Sequence, residues 1–478
     1  MKQSSRFYSS LGLLILLNAV IKPLWIFGID RQVQNTAGTE AYGHYFAVFG
    51  LAYVLGFLLD WGLTTFLNRK LSAGEENGRE AIAACIKLKI VFAFIYLIVV
   101  AVIAYVAGLR DWTIILSLAG IQILGSFFVF FRGLITAAQW FGTDAWLSVL
   151  DKTLMIIFCG SFLLFPAVTG TISIHTFLYL QLAATLLALI AVKLILWKRK
   201  ILPVSFKNSR ISKKDFQSML PFGLIVLLMS MHNRLDGFLL ERLHPNGAHE
   251  AGLYAGAYRL LDAFNMAGFL IASFLLPYIA KLKSENKNYD GVVLNARHLL
   301  VMVSLWVTAI AVFISPAIIH LLYRQQGEDA IPVMQYCLPV LMAYSITQVY
   351  GTVLTASGRI REFCVIVLVS VVINIILNLW LIPEFGAKGS AIAALVSQGI
   401  CGVSCMIGAI HWEKLKMGWR SMGIYLFMAI LLYFYFVGVR DWNVHALFKA
   451  LIIVPVLGII ALISGMMNLN QWKKIQNH

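Results

Sequence analysis

Apolar runs long enough to cross a membrane recur from one end of the 478-residue chain to the other. A helix needs about 20 predominantly apolar residues to cross about 30 Å of hydrocarbon. Fourteen such runs lie near residues 7–29, 41–67, 84–108, 112–137, 146–166, 172–197, 216–242, 250–280, 297–323, 330–356, 361–383, 387–411, 421–439 and 446–467. The sequence therefore predicts an all-α polytopic membrane protein with about 14 transmembrane helices. The short alternating segments of a transmembrane β-barrel are absent from the sequence.

The basic residues predict the orientation of these helices. If both termini are cytoplasmic, 27 of the 38 Lys and Arg residues lie on the cytoplasmic side, seven lie on the other side and four lie inside spans. An excess of Lys and Arg in cytoplasmic loops is the usual topological signal. The weakest part of the pattern is the loop after the fourth span, where Arg132 is the only nearby basic residue. The net charge of +16 is thus explained by topology, and nucleic acid is not expected as a partner.

No segment of the sequence is suited to catalysis, a disulfide framework or a metal site. The longest loop is the basic stretch 198–214, which is too short for a soluble catalytic domain. The six cysteines lie in or beside apolar segments without metal-ligand spacing. A polysaccharide polymerase or glycosyltransferase would need a larger outer loop or domain, so we expect a protein that is not an enzyme and that has no cofactor.

The basic stretch and an internal repeat predict the domain organisation. We expect an N-lobe over residues 1–197 (six helices), a cytoplasmic linker over 198–214, a C-lobe over 215–412 (six helices) and a helix pair over 413–478. Spans two and eight both open with Glu-Ala, a Gly and a Tyr, and both end with basic residues before Ser. Because the two spans lie six apart and enter the membrane from the same side, they favour two parallel repeats.

Ionisable residues inside spans mark the candidate functional site. Such residues cost at least about 2.5–3.5 kcal/mol near the bilayer centre and usually face the bundle interior or a water-filled cavity. Lys22, Arg234 and Arg259 fall at similar depth, and we expect them to line one electropositive chamber that binds phosphate or pyrophosphate. Asp60 and Asp262 are candidates for cavity lining or for coupling to H⁺ or Na⁺.

Each of these residues also has a structural interpretation. Arg259 and Asp262, spaced i, i+3, could neutralise each other, and Lys22 or Asp60 could snorkel toward the membrane surface. For Asp151 and Lys152 snorkelling is the preferred interpretation. A structural role in bridging helices is likewise preferred for two residues of span eleven, Asn374 and Asn378.

The sequence also resembles a known family. The segments "NRLDGFLLERL" and "EAGLYAGAYRLLDAF" of spans seven and eight, and "GRIREFCVIVLVSVVINIILNLWLIPEFGAKGSAIAALVSQ" over 358–398, resemble the polysaccharide exporters of the multidrug, oligosaccharidyl-lipid and polysaccharide (MOP) superfamily. The chain looks most like an O-antigen-type flippase for lipid-linked oligosaccharides. The resemblance implies two six-helix lobes in a V-shaped bundle around a central cavity, plus two C-terminal helices. It also implies a position in the bacterial inner membrane.

The function implied by the resemblance is movement of an undecaprenyl-pyrophosphate-linked repeat unit from the inner to the outer leaflet, often coupled to H⁺ or Na⁺. Polysaccharide-assembly proteins are further partners implied by it. Asp236, Lys22 and the Gly252–Tyr254 motif match positions that are common in the family, so Tyr254 joins the candidate lining residues. The alternatives are a flippase for the lipid-linked peptidoglycan precursor, for which span one and span two offer few cations, and a drug or cation antiporter, for which the site is too basic.

Arg234 and Asp236 lie two positions apart, about 200° around a helix, so both cannot point at one cavity. We expect Arg234 to face the chamber and to bind phosphate. Asp236, together with His232 one turn earlier, is then expected to contact a neighbouring helix or to tune a proton site.

Overall fold

A computed structural model describes residues 2–72, 78–165, 171–202, 212–439, 442 and 444–464. Within these residues the regular secondary structure is helical throughout, as the apolar periodicity predicts. By its internal contacts the chain divides into two compact units. The first comprises residues 1–242 and 246–252, and the second comprises residues 243–245 and 253–478.

The first unit contains the helices from the N-terminus to the one that follows the basic linker. They are α1 (Lys2–Leu24), a π-helical segment (Trp25–Asp30), α2 (Arg31–Ala37), α3 (Thr39–Leu55), a 3₁₀ segment (Gly56–Leu59), α4 (Leu63–Ser72), α5 (Gly78–Val106), α6 (Trp112–Ala137), α7 (Phe141–Leu164), α8 (Ile174–Lys198) and α9 (Lys213–Leu243). The second unit contains most of α10 (Gly247–Ser284), followed by α11 (Asp290–Phe313), α12 (Ser315–Leu322), α13 (Ala330–Cys337), α14 (Val340–Ala356), α15 (Ile360–Glu413), α16 (Trp419–Gly438) and α17 (Ala446–Ile463).

Helix α9 packs with the helices that precede it, although the predicted C-lobe begins at residue 215. A β-carbon added to Gly50 of α3 would lie 2.5 Å from the Arg234 carbonyl oxygen, and one added to Gly237 would lie 2.7 Å from the Phe46 ring. Glycines at these two positions let the backbones of α3 and α9 approach closely. Most of the predicted 198–214 linker, residues 203–211, lies outside the described residues.

The number of spans agrees with the sequence. Among the described residues, twelve helical stretches are long and apolar enough to cross a membrane, and Phe448–Ile463 is a shorter apolar helix. One of the twelve, α15, is 54 residues long and is interrupted at Gly386, whose φ of 52° and ψ of −132° are not helical. Counting the two halves of α15 separately, and adding the shorter helix Phe448–Ile463, gives the fourteen predicted segments.

Several predicted spans are less regular than the sequence indicates. Span two is broken into α3, the 3₁₀ segment and α4, because Trp61 and Gly62 adopt φ values of 45° and 83°. The ninth and tenth spans are each divided into two helices, at Ile314 and at Pro339. Span one, predicted to end at residue 29, stays helical and apolar to Ala37.

Each unit has its own apolar core. In the first unit, aromatic and aliphatic side chains of α4, α5, α6 and α8 form a buried cluster that includes Phe130, Leu134 and Val192. In the second unit, α16 and α17 pack on α11 through a cluster that includes Leu305 and Met428. The C-terminal helix pair is thereby fixed to the helices of the second unit.

One of the two asparagines of span eleven connects the halves of α15. Asn374 Nδ2 donates to Ser397 Oγ at 3.2 Å, and Asn378 Nδ2 donates to Asn374 Oδ1 at 3.1 Å. Both amides are buried. The prediction of a helix-bridging role is confirmed for Asn374, whereas the hydrogen bond from Asn378 to Asn374 lies within one half of α15.

Candidate functional site

Lys22 lies in the last turn of α1, where the helix geometry changes. Pro23 follows it, and the π-helical segment Trp25–Asp30 separates it from α2. Proline removes a backbone hydrogen bond inside a helix, and π-helical turns are frequent at functional sites. The Lys22 side chain is half-buried, so the irregular helix holds a partly accessible ammonium inside an apolar span.

Charged side chains of α6 and α7 surround Lys22. Arg132, Asp151 and Lys152 all act on it electrostatically. Lys152 Nζ lies 3.3 Å from Asp151 Oδ2 and 5.2 Å from the centroid of the Trp25 ring. Because the face of an indole attracts an ammonium ion, Lys152 is directed toward α1 within the bundle. This arrangement differs from the snorkelling predicted for it.

Arg132 is neutralised by Asp144. Its Nε and Nη2 atoms donate to the two carboxylate oxygens at 2.9 and 3.1 Å, and Asp144 is buried. We name Lys22, Arg132, Asp144, Asp151 and Lys152 the Lys22 cluster. Since its three cations face two carboxylates, one positive charge is in excess. That charge belongs to Lys22 and Lys152, which share the electrostatic attraction of Asp151: Lys152 lies 3.3 Å from it, and Lys22 lies within its field.

Asp30 is a buried carboxylate that the sequence analysis missed. It is 2% exposed and accepts a hydrogen bond from Tyr42 Oη at 2.7 Å. Gln34, one turn later on the same face, is also buried and donates to the Gly252 carbonyl at 3.1 Å. The prediction missed Asp30 because it ended span one at residue 29. Asp30 and Gln34 are spaced i, i+4 among apolar residues, which is a helical spacing that would have extended the predicted span.

Arg234 packs against the aromatic face of α3. The centre of its guanidinium group lies 5.8 Å from the centroid of the Phe49 ring and 5.4 Å from that of Tyr53. Arg234 is half-buried and Tyr53 is 41% exposed. Cation–π contacts of this kind stabilise the orientation of a planar guanidinium group.

His232 and Asp236 are buried, with exposures of 1% and 2%. Arg234, which lies two positions from each of them, is only half-buried. This difference is expected because residues two apart point to nearly opposite sides of a helix. Lys22 lies among α6 and α7, whereas Arg234 lies against α3, and Arg259 belongs to the second unit. The expectation that these three cations line one chamber stays a prediction.

The C-terminal end of α9 is held by an ionic contact with α3. His44 Nδ1 contacts Glu241 Oε1, and Arg242 Nη2 lies 3.2 Å from Glu241 Oε2. Arg242 also donates to the Ala107 carbonyl at 2.8 Å. These contacts tie α9 to α3 and to the end of α5, and they help to position Arg234 two turns earlier.

Asp60 is paired with a lysine that the charge pattern assigned to a cytoplasmic loop. Lys89 Nζ lies 3.0 Å from Asp60 Oδ1, and the lysine is fully buried. The burial of Lys89 is not evident from the sequence, because this residue lies near the start of a span in a region of alternating Lys and apolar residues. Asp60 therefore does not face a chamber as an isolated carboxylate.

In the second unit, Arg259 and Asp262 form the predicted i, i+3 pair. Arg259 Nη1 lies 4.0 Å from Asp262 Oδ2, and the two side chains are 14% and 18% exposed. Tyr254 is 1% exposed and its ring lies 5.6 Å from that of Tyr258. Tyr254 is therefore a packing residue in this structure, whereas the Arg259–Asp262 pair keeps partial access.

The second unit also holds a buried arginine that the sequence analysis placed at a cytoplasmic end. Arg297 is 1% exposed and donates from Nη1 to Tyr350 Oη at 3.0 Å and to the Met417 carbonyl at 2.8 Å. The Tyr425 ring lies 5.8 Å from its guanidinium centre. Arg297 thus joins α11 and α14 to the start of α16.

A second ionic group joins the end of α10, the start of α11 and the two ends of α15. Glu413 accepts hydrogen bonds from Lys283 Nζ at 2.6 Å, Arg359 Nε at 2.9 Å and Tyr289 Oη at 2.9 Å. Burial, followed by the hydrogen bond to Glu413, raises the pKa of Tyr289 to about 12. Because it joins helix ends, this group stabilises the second unit.

Among the described residues, no group of three or more His, Cys, Asp or Glu side chains is arranged to hold a metal ion. The six cysteines are buried, and no disulfide joins them.

The matched family is the one described as "Polysaccharide biosynthesis protein", whose sequence pattern fits residues 9–283, more than half of the chain. The chain belongs to this family. A comparison with curated proteins gave no match.

Solved structures of low sequence identity share the fold. The lipid II flippase MurJ in an inward closed conformation is 11% identical, with a TM-score of 0.66, and the match covers 96% of this chain and 97% of that one. An inward-facing multidrug resistance MATE family transporter is 14% identical, with a TM-score of 0.62 and coverage of 83% and 93%. A MOP superfamily transporter from Pyrococcus furiosus, described as having a binding pocket of reverse polarity, is 14% identical, with a TM-score of 0.62 and coverage of 85% and 94%. The chain therefore has the MOP fold, and the proteins that share it are transporters and a flippase, not enzymes.

Proposed function

We propose that this protein is a flippase for an anionic lipid-linked oligosaccharide. Its substrate is an undecaprenyl-pyrophosphate-linked repeat unit, which it moves from the inner to the outer leaflet of the bacterial inner membrane by alternating access. Both termini are cytoplasmic in this proposal, and the cycle is coupled to H⁺ or Na⁺. Membership of a polysaccharide biosynthesis family and the MOP fold support this class of function.

The observation that carries the proposal is the Lys22 cluster. Lys22 and Lys152 share one carboxylate, Asp151, and both lysines keep partial access. A cation that is incompletely neutralised inside an apolar span is costly, and such residues usually mark a substrate or ion path. Pyrophosphate has several negatively charged oxygens that can accept hydrogen bonds from two lysines.

Arg234 and Arg259 are proposed as further phosphate-binding residues. Arg234 is oriented by the Phe49 and Tyr53 rings, and Arg259 lies 4.0 Å from Asp262. We propose Asp236 and Asp262 as the carboxylates that respond to the coupling ion. His232, one turn from Asp236, is proposed to tune that response.

The decisive experiment measures flipping of a fluorescent undecaprenyl-pyrophosphate oligosaccharide in proteoliposomes. We expect Lys22→Ala and Lys152→Ala each to lower the initial rate by about tenfold or more, because a hydrogen bond to a charged group is worth about 1.5–3 kcal/mol. Arg234→Ala and Arg259→Ala are expected to lower it less, because each of these arginines already has a protein partner.

The matched control is Lys287→Ala, since Lys287 lies between α10 and α11 and its side chain is 63% exposed beside Glu285. This variant is expected to transport at the wild-type rate. Undiminished transport by both Lys22→Ala and Lys152→Ala would contradict the electrostatic basis of the proposal.

A flippase for the lipid-linked peptidoglycan precursor is the second candidate function. It is favoured by the likeness to lipid II flippase MurJ, which extends over 96% of this chain. Both substrates carry a pyrophosphate, so the lysine variants cannot separate the two. Competition can: unlabelled lipid II would inhibit flipping of the oligosaccharide probe only if the site also accepts the peptidoglycan precursor. A fluorescent drug cation in the same assay tests the antiporter alternative.

A further inference from the structure

The break in span two exposes backbone and side-chain oxygen atoms inside the first unit. Helix α3 ends at Leu55, the 3₁₀ segment runs to Leu59, and α4 starts at Leu63. Between them Trp61 and Gly62 have positive φ angles. Asp60 caps α4, because its carboxylate accepts from the Thr64 amide at 3.3 Å and from the Thr64 hydroxyl group.

The ammonium group of Lys89 occupies this break. It donates to the Leu59 carbonyl at 3.1 Å, to Asp60 Oδ1 at 3.0 Å and to Ser126 Oγ at 2.7 Å. An ammonium group has three donors, so all of them are used. Two aromatic rings of α6, those of Phe127 and Phe130, lie 5.7 and 5.4 Å from Nζ.

This set of ligands is the kind that holds a monovalent cation in a membrane protein. Discontinuous transmembrane helices use unwound backbone carbonyls to coordinate coupling cations. Here the carbonyl comes from Leu59 at the end of the 3₁₀ segment, a hydroxyl comes from Ser126, and one carboxylate, that of Asp60, balances a single positive charge. The rings of α6 add the attraction of their π faces for a desolvated cation.

We propose that Lys89 is a tethered cation: its ammonium permanently fills a monovalent-cation site built by Leu59, Asp60 and Ser126. In the wild-type protein Asp60 therefore carries no exchangeable coupling ion. When the lysine side chain is removed, the site accepts a small free cation such as K⁺ or an alkylammonium ion. The inference goes beyond the proposed function, and its test does not involve transport.

The geometry separates this proposal from an ordinary ion pair. An ion pair needs only the Lys89 and Asp60 charges, whereas the ammonium here is also bound by a main-chain carbonyl and a hydroxyl group on two different elements. The Lys89 side chain is fully buried, so its truncation to alanine leaves a space lined by these oxygens, beside the Asp60 side chain, which is 32% exposed. A compact cation fits such a space better than a bulky one does.

The test compares the thermal unfolding of purified wild type and Lys89→Ala in detergent, in choline chloride and in potassium chloride at equal ionic strength. Choline is too large to replace the ammonium, so it controls for general salt effects. A cation that binds only the folded state raises the Tm in proportion to the logarithm of its concentration.

We expect the Tm of Lys89→Ala to be roughly 2 °C or more higher in potassium chloride than in choline chloride, and that of wild type to be the same in both. Ethylammonium chloride, which restores an alkyl chain with the ammonium, is expected to raise it further.

The matched control is the double variant Asp60→Asn/Lys89→Ala, which keeps the space but removes the carboxylate. Its Tm is expected to be equal in choline, potassium and ethylammonium chloride. If Lys89→Ala unfolds when it is exchanged from potassium into choline chloride, that loss also supports the proposal. Lys89→Ser, whose hydroxyl supplies one more oxygen ligand, is the second variant should Lys89→Ala not accumulate.

Equal Tm values for Lys89→Ala in all three salts would overturn the proposal, as would the same result for Lys89→Ser if it is the variant that accumulates. A potassium-dependent rise in wild type as large as that in the variant would also overturn it, because the site would then be open with the lysine present. Neither outcome would bear on the flippase proposal, which depends on Lys22 and Lys152.

Discussion

Each unit buries a cation completely, but the two units hold these cations by different means. Lys89 in the first unit is paired with Asp60 and uses all three of its donors. Arg297 in the second unit is bound by Tyr350, by a main-chain carbonyl and by the face of Tyr425, and within the described part of the chain no carboxylate pairs with it. A guanidinium group is delocalised and weakly hydrated, so neutral acceptors and a ring can hold it, whereas a compact ammonium ion needs a counter-charge.

The exposure of their side chains separates structural cations from candidate substrate-binding cations. Lys89 and Arg297 are inaccessible and their partners are fixed, so we expect their loss to affect folding first. Lys22 and Lys152 are accessible in part and share one carboxylate, so we expect their loss to affect transport first.

The largest effect is expected from Lys89→Met. The methionine side chain fills the space but leaves Asp60 beside apolar groups without its counter-charge. Breaking a buried pair by removing one partner costs about 3–5 kcal/mol of unfolding free energy. Denaturant unfolding in detergent measures this cost. The double variant Asp60→Asn/Lys89→Met is expected to recover most of the loss, and equal stability of the single and double variants would show that the pair is not coupled.

A smaller loss is expected from Arg297→Lys. Lysine keeps the charge but loses the planar donor group that reaches both Tyr350 and the Met417 carbonyl, and hydrogen bonds to charged groups are worth about 1.5–3 kcal/mol. Tyr350→Phe, which removes one of these contacts, is the matched variant and is expected to lose about half as much. Wild-type stability of Arg297→Lys would show that a point charge is sufficient at this position.

The architecture could be read from the sequence because lipid imposes a strong requirement. Every span must satisfy its own backbone hydrogen bonds and present apolar side chains to lipid. The number of spans and the break between residues 383 and 387 could therefore be predicted from the apolar runs. The break of span two could not be predicted. Its sequence stays apolar through Leu59, and the positive φ angles at Trp61 and Gly62 depend on the packing of Gly62 against Met219 of α9.

The candidate site was predicted only in part. Lys22, Arg234 and Arg259 stand out because each is a charge far from the ends of a span. Lys89 and Arg297 lie nearer to the ends, so a pattern-based analysis counts them as topological charges. Only tertiary packing shows that Asp60 faces Lys89 and that Tyr350 faces Arg297. Burial near a helix end is decided by neighbouring helices that are distant in sequence.

The affinity of the Lys22 cluster for an anion should depend on Asp151, the carboxylate of the cluster that is not paired with Arg132. Asp151→Asn removes the one carboxylate that Lys22 and Lys152 share, so both lysines become stronger attractors of an anion. Under the proposed function the apparent KM for the lipid-linked pyrophosphate is expected to fall by roughly threefold, as estimated for a partly screened charge. Glu285→Gln, at an exposed ion pair between α10 and α11, is the control and should leave KM unchanged. A rise in KM for Asp151→Asn would mean that Asp151 orients the lysines and does not compete with the substrate.

The smallest effect on stability is expected at Asp111, which lies in a surface connection outside the spans. Burial by itself would raise the pKa of Asp111, but the hydrogen bonds from the Ile114 amide and His175 and the nearby positive charge outweigh it, so the pKa lies below its ordinary value. A carboxyl group with a lowered folded-state pKa stabilises the protein above its unfolded-state pKa, and this contribution is lost as the pH falls through the folded-state pKa.

Asp111→Ala removes the N-cap of α6 and is expected to cost about 0.5–2 kcal/mol at neutral pH. Asp111→Asn keeps a capping side chain, so thermal unfolding should show a smaller loss at neutral pH and a weaker decline of stability below about pH 4. If Asp111→Asn is as unstable as Asp111→Ala at neutral pH, the contact with His175 contributes more than the cap does, and an exposed ion pair in this protein is stronger than surface pairs usually are.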